Sequence, residues 1–82
     1  MKRVKVRVTW EDIARGERRE CATCPVALAA TRAFGEDVTV GNRMFRLRSI
    51  QYIDMPARVR AWIHEFDQGR PVRPIRFRVE AV

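Results

Sequence analysis

Two cysteines three residues apart, Cys21 and Cys24, stand immediately before Pro25 and the apolar run VALAA. A C-x-x-C pair can serve zinc, thiol–disulfide chemistry or local structure, and each use needs different companions. Zinc takes four ligands, usually from a second C-x-x-C or from paired histidines, and this chain has one histidine, His64. A metal site would have to combine Cys21, Cys24, His64 and a carboxylate, or take both cysteines from each of two chains. In dithiol redox sites the attacking cysteine caps a helix with its partner inside the first turn. Here Pro25 follows the second cysteine, so Cys24 is the N-cap candidate and Cys21 lies in the incoming loop. A helix N-terminus can lower a thiol pKa, which makes Cys24 the candidate reactive group. The context favours a structural pair, either two thiols or a disulfide pinning loop to helix. Metal and redox roles for Cys21 and Cys24 remain minority alternatives, and no cofactor is expected.

Other catalysis has less support. The sequence contains no G-x-S-x-G and no glycine-rich phosphate loop, and its carboxylates are scattered or placed where helix capping explains them. A small non-enzymatic binding module is the expectation.

The elements that must position these residues are short. Arg3 to Thr9 alternates valine with cations, the period of a half-buried strand. TWEDIARG reads as a short helix with Thr9 as N-cap, Asp12 three residues on and Gly16 as terminator. Cys24 to Phe34 suits a helix with Pro25 at its first position and Gly35 as its stop. VTVGNRMFRLR reads as two strands around Gly41-Asn42. The alternation then changes phase, Ile50 and Tyr52 falling on the opposite parity from Phe45 and Leu47, which predicts a bulge or strand end near Ser49. MPARVRAWIHEFDQG has Val59, Trp62, Ile63 and Phe66 at helical spacing, between Pro56 and Gly69. IRFRVEAV alternates again.

The 82 residues therefore predict one α+β domain spanning 1–82: a four-stranded, mainly antiparallel sheet with two main helices and one short helix on one face. Its expected core is Val4, Val6, Val8, Ile13, Val26, Leu28, Ala29, Val38, Val40, Phe45, Leu47, Val59, Trp62, Ile63, Phe66, Ile75, Phe77 and Val79. No apolar stretch approaches the length of a membrane span, and MKRVKVRV lacks the apolar centre of a signal peptide, so a cytoplasmic protein without a membrane partner is expected.

Seventeen basic residues face ten acidic ones, a net charge of +7, and fifteen of the seventeen are arginine. If the apolar side of each strand faces the helices, then Arg3, Lys5, Arg7, Arg46, Arg48, Arg76 and Arg78 share the opposite face, with Glu80 as the nearby acid. Such a surface suits a phosphate backbone, an acidic protein surface, or simply solvent. Base readers also need exposed aromatics, but Phe45 and Phe77 fall on the inward parity and Trp10 and Tyr52 sit at element ends. Backbone contacts with little sequence preference are the expectation for nucleic acid.

The segment TWEDIARGERRECATCPVALAATRAFG resembles the T-x-E-D-I-x-x-G then C-x-x-C-P-V/I-A-L-A pattern of short uncharacterised phage and high-GC bacterial proteins. FDQGRPVRPIRF resembles their F-D-x-G-x-P-V-x-P-x-x-F tail. The resemblance transfers no activity or site residue. It implies a phage or prophage accessory protein, a class in which small basic proteins bind nucleic acid or interfere with a host machine. The alternative to nucleic-acid binding is thus a protein-binding inhibitor or adaptor of a host nucleoprotein enzyme, docking through exposed apolar residues such as Trp10, Tyr52 or Met55.

Overall fold

A computed structural model describes residues 2–81. Along the chain lie β1 (Lys2–Val8), α1 (Trp10–Arg15), α2 (Pro25–Phe34), β2 (Val38–Val40), β3 (Met44–Leu47), β4 (Tyr52–Asp54), α3 (Ala57–Asp67) and β5 (Ile75–Ala81). The α+β class holds, but the single four-stranded sheet does not. Five strands form two antiparallel sheets, the ribbon β1-β5 and the meander β2-β3-β4.

The fifth strand arises at the Ser49 region. The chain reverses over Arg48, Ser49 and Ile50, where the Ile50 amide donates to the Leu47 carbonyl at 2.9 Å and the Leu47 amide donates to the Gln51 carbonyl at 2.9 Å. Ile50 takes the left-handed conformation this turn needs, φ 61, without being glycine or asparagine. The strand ends there as expected. Phe45 pairs with the buried Ile53, while Ile50 and Tyr52 are exposed.

β1 and β5 pair in register from Lys2 with Ala81 to Val8 with Ile75, so Val6 meets Phe77 and Val4 meets Val79 on the inner side. The two sheets share one core. Phe45 of β3 stacks on Phe77 of β5 with ring centroids 5.9 Å apart. β4 lies beside β5, and α2 packs against both β1 and β2, bridging the sheets. Its buried face is Val26, Ala27, Ala29 and Ala30, small side chains that let the helix lie close. Burying a phenylalanine of this kind is worth about 3 to 5 kcal/mol against alanine.

The core differs from the expected one in detail. Ile53, Met55, Cys24, Ala27, Ala30 and Ala81 are buried as well, whereas Val4, Ile13, Leu28, Val40, Trp62, Ile63 and Ile75 are half-buried. Trp62 and Phe66 stack on each other at 5.8 Å, and the Trp62 indole N–H donates to the Arg73 carbonyl at 2.7 Å. This pins the proline-flanked segment before β5 to α3.

Two features fix the α1–α2 corner. Thr9 and Asp12 form a capping box: the Asp12 amide donates to Thr9 Oγ1 at 3.1 Å, and the Thr9 amide donates to Asp12 Oδ2 at 2.9 Å. Gly16, expected only to stop α1, has φ −67, open to any residue, but a Cβ there would come within 2.4 Å of the Pro25 ring. Close approach of the two helices is what demands glycine. No helix of the described residues is long and apolar enough to cross a membrane.

Candidate nucleic-acid interface

Alternation on β1 and β5 turns Arg3, Lys5, Arg7, Arg76, Arg78 and Glu80 outward, and all six are exposed. Register then decides who faces whom. Arg3 opposes Glu80, with Nε 3.9 Å from Oε1, but Lys5 opposes Arg78 and Arg7 opposes Arg76. None of the ion pairs among the described residues includes Lys5, Arg7, Arg76 or Arg78. Like charges directly opposite cost stability, so the ribbon is held by its inner valines and Phe77 against its outer face.

α3 adds a cation that the sequence reading omitted. Arg58 Nη2 donates to the Arg76 carbonyl at 2.6 Å. With Lys5, Arg76, Arg78 and Phe77 it lines a shallow concavity that has no acidic side chain in its wall. In sequence, Arg58 is the residue just before the apolar stripe of Val59, Trp62, Ile63 and Phe66, a flank position that reaches over the neighbouring strand.

The remaining expected cations do not share this face. Arg46 lies on β3 in the other sheet, paired with Tyr52 of β4, and Arg48 lies in the turn after β3, its amide donating to the Asp37 carbonyl at 2.9 Å. The platform of seven is therefore a ribbon of five, with Arg46 on the adjoining sheet and Arg48 apart, because the β2-β3-β4 meander shares no strand pairing with β1-β5 and β3 ends before Arg48. Tyr52 lies at the end of an element and exposed, as expected, at the start of the edge strand β4. It is an outward-facing strand residue, 57% exposed, and lines a depression together with Arg78, Asp54 and Glu80. The strand end near Ser49 was expected, but not the reversal into β4 that pairs Tyr52 with Arg46. Trp10 is 64% exposed, as expected, but Met55 is buried at 4% and offers no docking surface.

Each cysteine makes a local contact in the fold. Cys24 caps α2, its Sγ accepting from the Ala27 amide at 3.4 Å. Burial pushes its thiol pKa up, and the hydrogen bonds from the Ala27 and Val26 amides do not offset it. The direction is opposite to the lowering expected at a helix N-terminus: burial disfavours the thiolate more than the amides favour it. Cys21 is exposed, and both are free thiols. The Cys21 carbonyl accepts from the Val40 amide at 2.8 Å, so the C-x-x-C loop covers an edge group of β2. Cys21, Cys24, the exposed His64 and Asp67 line one cleft, yet no group of three His, Cys, Asp or Glu among the described residues is placed to hold a metal ion.

Comparison with protein-family models, with curated proteins and with solved structures gives no match for this chain.

Proposed function

We propose that this protein is a non-enzymatic nucleic-acid-binding protein that grips the phosphate backbone with the outer face of the β1–β5 ribbon, Arg46 and Arg58 extending the contact. The observation that carries this reading is the register that sets Lys5 against Arg78 and Arg7 against Arg76 with no ion pair to neutralise them. An array of this kind lowers stability in isolation and becomes favourable when phosphates enter between the cations. The net charge of +7 supports the same reading through long-range attraction of a polyanion. The resemblance to short phage proteins is consistent with a phage accessory protein acting on nucleic acid in the cytoplasm.

The test is binding of nuclease-treated protein to labelled oligonucleotides across a salt series. Affinity should fall with a log–log slope of about 0.9 per phosphate neutralised on duplex DNA. The double change Arg76→Glu and Arg78→Glu should abolish binding and keep the fold, because each new carboxylate faces a cation on β1. Salt-insensitive binding, or full binding by the double variant, rules the mechanism out.

A second reading, an inhibitor or adaptor that docks on a host protein, is favoured by Met44, Ile50 and Tyr52, all exposed on the β3–β4 hairpin. It expects one defined protein to co-purify and to be lost on Ile50→Ser. A pull-down that returns only nucleic acid removes it.

A further inference from the structure

The geometry points to a single-strand site at the seam of the two sheets: a base stacks on Tyr52 while its neighbouring phosphate sits in the concavity of Lys5, Arg58, Arg76 and Arg78. This rests on the phosphate-binding reading above and adds the form of nucleic acid taken.

Tyr52 stands on the outer surface of β4, 57% exposed, with Ile53 and not the ring itself supplying the core contact. On one side its cross-strand partner is Arg46. On the other, Tyr52 and Arg78 line one depression, and Arg78 also lines the acid-free concavity with Lys5, Arg58 and Arg76. An exposed aromatic between cations is the arrangement that grips single strands, since bases stack on the ring and phosphates follow the charges. A duplex keeps its bases stacked and paired, so it has no free face to offer Tyr52.

A carboxylate sets the direction of the strand. Glu80 and Asp54 share the depression with Tyr52, but Glu80 is engaged by Arg3 across the ribbon. Asp54 follows Tyr52 by two residues on the same face of β4 and repels a phosphate there. The backbone therefore leaves Tyr52 toward Arg78 and Lys5. Replacing Asp54 by asparagine should tighten binding.

The experiment is fluorescence anisotropy of a labelled oligothymidine and of a duplex of equal length at low salt. It compares the unchanged protein with Tyr52→Ala, Tyr52→Phe, Asp54→Asn and the Arg76→Glu, Arg78→Glu double variant, each checked for folding by circular dichroism. The single strand should bind more tightly than the duplex. Tyr52→Ala should weaken it by about tenfold, Tyr52→Phe should restore it, and duplex binding should stay within about twofold throughout the Tyr52 series. If the double variant loses binding while Tyr52→Ala does not and the duplex binds equally well, the single-strand site is wrong and the phosphate platform stands. If the double variant binds normally, or the unchanged protein binds neither probe, both are wrong.

Discussion

Lys5 and Arg78 face each other directly across the β1–β5 ribbon, the next pair on its outer face after the Arg3–Glu80 ion pair. The same two strands thus carry an attractive cross-strand pair and a repulsive one on a single face. The single change Arg78→Glu converts the repulsive pair and should raise stability by about 0.5 kcal/mol. It should at the same time weaken oligonucleotide binding. Urea melts and a binding titration on one preparation check both directions; a variant that loses stability and binding together would mean that Arg78 supports the fold.

Ile50 occupies the left-handed region, φ 61, and is 74% exposed. A β-branched residue there is strained, whereas asparagine visits that region readily, and little apolar burial is lost. Ile50→Asn should therefore stabilise the protein by about 1 kcal/mol. The expected signature is a higher urea midpoint with an unchanged slope.

Asp12 is the buried acid, 5% exposed, held by Arg32 through Nη1–Oδ1 at 3.0 Å and Nη2–Oδ2 at 2.9 Å. Arg32 Nη2 also donates to the Arg7 carbonyl at 2.8 Å, tying α2 and α1 to β1. Burial by itself would raise the Asp12 pKa, but the Arg32 and Thr9 hydrogen bonds outweigh it and leave the carboxyl below its usual 3.8. A depressed folded pKa gives stability that is complete above 3.8 and is lost as pH falls through the lower folded value. Asp12→Asn should cost about 1 to 3 kcal/mol at neutral pH and flatten the acid limb of the stability curve. Thermal melts from about pH 2 to about pH 7 on both proteins measure this.

The two thiols should differ in reactivity. Cys21 is exposed, while Cys24 is buried with a raised pKa. A thiol reagent at neutral pH should modify Cys21 promptly and Cys24 only at the rate of opening, both reacting together in denaturant. Equal prompt modification of both in the native protein would show that the cap of α2 is open.

The helices were largely legible because their signals are local. Thr9 with Asp12, Cys24-Pro25 with Gly35, and the stripe from Val59 to Phe66 each specify an element through contacts within a few residues. A strand end near Ser49 was legible, but the reversal into a fifth strand was not, because Ile50 is there against its own preference and the turn is held partly from outside the hairpin, by Glu36 Oε1 and the Asp37 carbonyl accepting from the Ser49 and Arg48 amides. Without that strand the pairing of Tyr52 with Arg46 could not be read.

The sequence by itself determined that β1 and β5 each have an inner apolar and an outer cationic side, since a strand's period of two follows from its backbone alone. It also determined the caps of α1 and α2. Only the tertiary structure decided that β1 pairs with β5, that Lys5 meets Arg78, that α3 brings Arg58 to the same concavity, and that Tyr52 lies beside Arg78. Pairing between the two ends of the chain is chosen by the fit of Phe77 against Phe45 and of α2 across both sheets, contacts too distant in sequence for any local pattern to encode.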